Sequence, residues 1–174
     1  DLFSHTMTGQ PLTPHEWLAQ VAFAAAERGL GLDGVVLLAA LVIATAFWRV
    51  FRQAAQAGSV LVAVLVTLLA MAASSLHWLT RPHLFTFLLL VLWMDALDAL
   101  RCGRLKVWWR LPVLMLLWAN LHGAFIAGFV TWALYGIGTA WDVFWRRQLP
   151  DDDQQASWRP AAGFWRVFLL GGLS

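Results

Sequence analysis

Charge is scarce in this sequence. Asp, Glu, Lys and Arg make up 13% of its 174 residues, against 60% hydrophobic residues and a mean hydropathy of +0.66. Soluble domains carry about 25% charged and roughly 45–50% apolar residues, so the chain is read as an integral membrane protein. Its one cysteine, Cys102, excludes an internal disulfide and any cysteine metal cluster, and is read as an ordinary loop thiol. Tyrosine is nearly missing, one residue against twelve tryptophans. Indoles favour the membrane–water interface, which agrees with the membrane class. The net charge is only +2, with basic residues dispersed between apolar segments, and this argues against nucleic acid as a partner. Common catalytic signatures are also lacking: there is no phosphate-binding glycine loop, no HExxH and no GxSxG. "GLGLDG" at 29–34 is a poor dinucleotide fingerprint and runs straight into an apolar span. No basic segment followed by a cleavage site is visible, so no signal peptide is identified. The chain starts at Asp1 and stops inside an apolar run, and it is expected to be an internal portion of a larger polytopic protein.

What the sequence does have is long apolar runs. A membrane span needs about 20 such residues. Candidates are Gly34–Val50, Val60–Leu79, Leu84–Leu100, Val107–Leu121 and Gly123–Val143, with a sixth beginning near Phe164. Ahead of the first lies an amphipathic stretch in which apolar positions 17, 18, 21, 22 and 25 recur at helical spacing. Thr13 suits its N-cap, Pro14 its first position, and Glu16 the acidic partner of a capping box. This helix is too short and too polar at its start to span, so it is predicted to lie along the interface. The expected fold is all-α: a polytopic transmembrane helical bundle with an N-terminal interfacial amphipathic helix. Residues 1–33 form an extracytoplasmic loop and that helix, 34–145 the bundle of about five spans, 146–162 a cytoplasmic loop, and 163–174 the start of a further span.

Lys and Arg set the orientation. Arg49, Arg52, Arg101, Arg104, Lys106, Arg110, Arg146 and Arg147 fall in loops on one side, while the other side holds only Arg28 and Arg81. The rich side is therefore predicted to be cytoplasmic. All five histidines (His5, His15, His77, His83 and His122) then map to the extracytoplasmic ends, together with Asp1, Glu16, Arg81 and Asn120. The acidic run "DDDQQ" at 151–155 reads as a solvated cytoplasmic loop, and Asp95 and Asp98 as interface charges near Arg101.

Three stretches carry candidate chemistry. "DLFSHTMTGQPLTPHEW" offers Asp1 as a general base or metal ligand, or as an exposed loop carboxylate. His15 and Glu16 are adjacent and point about 100° apart on a helix, so Glu16 is read as a cap. "SSLHWLTRPHLF" sets Arg81 beside His77 and His83, where its planar fork suits a phosphate or pyrophosphate, or simply snorkels to a headgroup. "WANLHGAFIAG" places Asn120 and His122 inside a 37-residue run from Val107 to Val143 with no charge between Arg110 and Asp142. One helix of that length would reach roughly 55 Å, so a turn is predicted at Asn120–Gly123, with a bare core histidine as the alternative.

The order "HEWLAQ", "TRPHLFTFLLL", "LPVLMLLWANLHGAFIAG" behind an outward Asp1 segment resembles the C-type (multi-spanning, polyprenyl-phosphate-sugar-dependent) glycosyltransferase superfamily. It looks especially like bacterial members similar to dolichyl-phosphate-mannose-type mannosyltransferases, over roughly residues 1–145. The resemblance implies sugar transfer from a lipid-linked donor to an acceptor at the outer face of a bacterial inner membrane. It casts Asp1 as the catalytic base, acting directly or through a divalent metal ion, and Arg81 as the stabiliser of the leaving phosphate. His5, His15, His77, His83, Asn120 and His122 form the implied substrate-binding set. Partners on this reading are membrane lipids and the lipid-linked sugar donor. The rival reading is a non-enzymatic subunit of a larger membrane complex, with His77 or His122 as axial ligand to haem or a bacteriochlorophyll-type pigment. A transporter ranks last, because no charged residue falls clearly at mid-bilayer.

Overall fold

The computed structural model describes residues 16–148 and 160–173, and among these the regular structure is entirely helical. Six α-helices follow in order: α1 (Trp17–Ala57), α2 (Val60–Ser74), α3 (Leu84–Arg101), α4 (Arg110–Leu121), α5 (Ile126–Arg146) and α6 (Phe164–Leu173). Single 3₁₀ turns occur at Ser75–His77, Leu105–Val107 and Gly123–Phe125. The expected all-α class holds.

The amphipathic helix and the first span form one helix, α1, broken at Leu30–Gly31. Gly31 has φ +64°, in the left-handed region where a side chain is strained, so glycine permits the corner. The bend is tight: a Cβ on Gly34 would collide with the carbonyl of Ala26. Before the corner, Ala19 is fully buried and Leu18 and Phe23 pack on the core, with the Phe23 and Phe85 rings 5.6 Å apart. Helical geometry begins at Trp17, so Glu16 occupies the cap position itself. Its side chain makes no capping hydrogen bond. Thr13 and Pro14 of the expected capping box lie outside the described residues, and the Glu16 carboxylate has its partner in His122, at the end of another helix.

Among the described residues, three helical segments are long and apolar enough to cross a membrane: Trp17–Gln56, Val60–His77 and Gly123–Arg146. The chain is accordingly a membrane protein. The segment Val60–His77 buries little beyond Ala63 and Thr67, and Leu61, Leu65, Leu68 and Leu69 point outward, as lipid solvent requires. The other two expected spans differ in kind. Helix α3 carries Asp95, Asp98 and Arg101 within 18 residues, and α4 has only 12 residues, about 18 Å of helix. These two supply the centre of the bundle, where Trp93, Leu97, Leu100, Leu111 and Trp118 are almost fully buried. The indole of Trp118 donates to Thr86 Oγ1 at 3.0 Å, which ties α4 to α3. Helix α6 completes the core with Phe164 and Phe168, the latter stacked on Trp132 of α5 at 5.1 Å.

Cross-helix polar ties define two ends. At one, Arg49 and Gln53 of α1 both bond Asp95 of α3, and Arg101 pairs with Asp142 of α5 at 2.6 Å. The Tyr135 hydroxyl donates to Asp98 at 2.8 Å. Asp95 and Asp98, expected as interface charges, bind neighbouring helices. The opposite end gathers Glu16, Trp17, His83, Asn120 and His122, and is built from the start of α1, the start of α3 and the α4–α5 turn.

Candidate functional site

The predicted turn is present. Helix α4 ends at Leu121, His122 is extended (φ −161°, ψ 142°), and one 3₁₀ turn leads into α5. Its backbone N–H still donates to the Trp118 carbonyl at 2.9 Å, and its extended φ/ψ then takes the chain off the helical path. The imidazole of His122 bonds Glu16 through Nδ1. A carboxylate oxygen accepts, so Nδ1 carries a proton, and Nε2 is the acceptor nitrogen in the singly protonated ring. The pair is only partly exposed, 26% for His122 and 30% for Glu16.

Two more contacts fix this arrangement. The indole of Trp17 donates to Asn120 Oδ1 at 2.7 Å, while Asn120 Nδ2 donates to the Leu116 carbonyl at 2.7 Å. Both faces of the amide are thus assigned, and the start of α1 is tied twice to the end of α4. The His83 ring lies 6.3 Å from that of His122, tilted at 61°. Its Nε2 lies 2.5 Å from the His77 carbonyl, which can only accept, so that nitrogen is the protonated one.

Of the predicted site residues, His83, Asn120 and His122 come together. His77 is exposed in a 3₁₀ turn and reaches the group only through its backbone carbonyl. Arg81 is exposed in the turn leading to α3, where its backbone is hydrogen-bonded and its side chain has no partner among the described residues. Asp1, His5 and His15 lie outside the described residues. Glu16 was the residue that sequence reasoning assigned elsewhere, and nothing local to it signals a partner 106 positions away.

No family model, curated protein or solved structure matches this chain. The site is therefore read from its own chemistry. Beside the polar group runs a groove of about 580 Å³ between the two halves of α1 and the 80–82 loop, lined by Gln20, Phe23, Glu27, Leu32, Val35 and Pro82 among others. Gln20 lies one helical turn beyond Glu16, and Pro82 precedes His83, so groove and polar group share walls. Its mixed lining suits a ligand with an apolar and a polar part. Among the described residues, no three His, Cys, Asp or Glu side chains converge as a metal site requires. A flat pigment at His77 would sit on an exposed turn, whereas His122 keeps Nε2 without a hydrogen-bond partner among the described residues.

Proposed function

We propose that the chain is the membrane part of a glycosyltransferase that takes a sugar from a polyprenyl-phosphate donor. Transfer takes place at the histidine end, facing the periplasmic side of a bacterial inner membrane. The observation that supports this reading is the Glu16–His122 pair with its acceptor nitrogen directed away from the carboxylate. A neutral imidazole held this way serves as general base. In the proposed step the acceptor hydroxyl oxygen bonds the anomeric carbon, its proton passes to His122 Nε2, and the bond from that carbon to the phosphate oxygen breaks. The leaving polyprenyl phosphate takes the electron pair, and its charge is met by the Arg81 guanidinium in the adjoining turn. Asn120, locked by Trp17, hydrogen-bonds the sugar, and the groove along Phe23, Leu32 and Val35 takes the first prenyl units.

The test is release of polyprenyl phosphate from a labelled polyprenyl-phosphate sugar by the full chain reconstituted in vesicles with a hydroxyl acceptor. Release that depends on the acceptor is expected. A purified protein with a Soret or near-infrared band and no release would instead favour the pigment-binding subunit, with His122 as ligand, since a carboxylate on Nδ1 also orients metal-bound histidines.

A further inference from the structure

The basic end holds a second site, independent of the glycosyl-transfer reading. A cavity of about 260 Å³ is lined by Arg49 and Arg52 from α1, Asp95 from α3, Arg104 from the α3–α4 connection and Arg110 from the start of α4. Four guanidinium groups face one carboxylate, a surplus of three positive charges. Asp95 is already engaged by Arg49 and Gln53, and Arg52 lies 6.0 Å from the ring of Trp48. Neither Arg104 nor Arg110 has a side-chain partner among the described residues, although each is free to reach into the cavity mouth. A second cavity of about 340 Å³ continues from the first, sharing Arg49, Asp95 and Arg110. Its remaining wall is apolar: Leu92, Trp109, Val113 and Leu114. Trp109, just before α4, and Val113 within it are exposed there.

A strongly cationic chamber opening into an apolar channel matches one kind of ligand, a membrane lipid with a net negative phosphate headgroup. Arginine forks match phosphate oxygens two at a time, and basic pockets between helices on the positive-rich side hold anionic headgroups. We propose that this site binds one anionic phospholipid, with its phosphate among Arg49, Arg52, Arg104 and Arg110 and an acyl chain along Leu92, Val113 and Leu114. A zwitterionic headgroup brings a cation into the same surplus of positive charge and is rejected.

Native mass spectrometry of the full chain released from mixed micelles tests this, with dioleoyl phosphatidylglycerol and dioleoyl phosphatidylcholine as probes. One phosphatidylglycerol per chain is expected to remain bound, and phosphatidylcholine is not. R104Q/R110Q weakens retention about thirtyfold, as two basic residues at a membrane surface contribute, while R28Q at the opposite end leaves it unchanged. V113W fills the apolar part of the channel while keeping all four arginines, and lowers retention of lipid but not binding of inorganic pyrophosphate. Far-UV circular dichroism and the thermal midpoint confirm that the variants are folded. Equal retention of the two lipids, wild-type retention by R104Q/R110Q, or pyrophosphate binding without lipid retention by the wild-type chain each overturns the proposal.

Discussion

The start of α1 is held over the histidine end by two polar ties, and cutting both gives a measurable local effect. Asn120→Ala removes the acceptor of the Trp17 indole, a single 2.7 Å hydrogen bond contributing about 1 kcal/mol. His122→Ala removes the partner of Glu16. With the two side chains 26% and 30% exposed, that tie contributes no more than about 1 kcal/mol. The two sites are neighbours, so their effects need not add fully, and the double variant is expected to lose about 1.5–2 kcal/mol of local docking energy. At room temperature this multiplies the opening equilibrium of residues 17–29 by roughly 10–30. The apolar contacts of Ala19 and Phe23 remain, so the helix stays docked most of the time. Hydrogen–deuterium exchange read by mass spectrometry is the assay: amides of residues 20–29 should exchange about 10–30-fold faster, while those of α5 keep their protection. Less than a twofold change would mean that the apolar contacts alone hold the helix. Equal loss of protection in α5 would mean that the variant weakens the whole bundle, and the assignment of a local latch would fail.

Other consequences follow from the packing. At the α1 corner, Gly31→Ala places a side chain at φ +64° and is expected to cost about 1–2 kcal/mol. Gly29→Ala, with nothing within 4 Å of its added Cβ, is expected to be neutral or to stabilise by about 0.5 kcal/mol; thermal midpoints in detergent would separate the pair, and equal midpoints would refute the corner. In the core, Trp118→Ala should cost about 3–5 kcal/mol and Trp118→Phe about 1 kcal/mol through the lost bond to Thr86. The exposed Trp109→Ala is the control in the same denaturation assay, and matching losses at Trp109 and Trp118 would contradict the central position of α4.

Much of the fold was legible because hydropathy and length act locally. The 37-residue run Val107–Val143, uncharged between Arg110 and Asp142, exceeded any single span, so the turn there had to exist, and it does. The segregation of arginines from histidines was likewise visible, and the cross-helix ties respect it. Sequence pattern did not distinguish a lipid-facing helix from a central one. Helices α3 and α4 both read as spans in the sequence, yet Trp93 and Trp118 sit at the core and not in an interfacial belt. Glu16 was misjudged for a related reason: a capping box is a local pattern, whereas its bond to His122 exists only because the chain folds back at Gly31. The arginine chamber needs the same long-range geometry, since Arg49 and Arg110 lie 61 positions apart and meet through α3.

The central proposal is that His122, held by Glu16, takes the proton during sugar transfer at the histidine end. The most direct measurement is the initial rate of sugar transfer from a labelled polyprenyl-phosphate donor in vesicles, compared between the wild-type chain, His122→Ala and Glu16→Gln. A base in that role is worth about 10²–10⁴ in rate, so His122→Ala should lose that factor and Glu16→Gln a smaller one, with both variants still folded. A His122→Ala chain that transfers sugar at the wild-type rate would contradict the proposal.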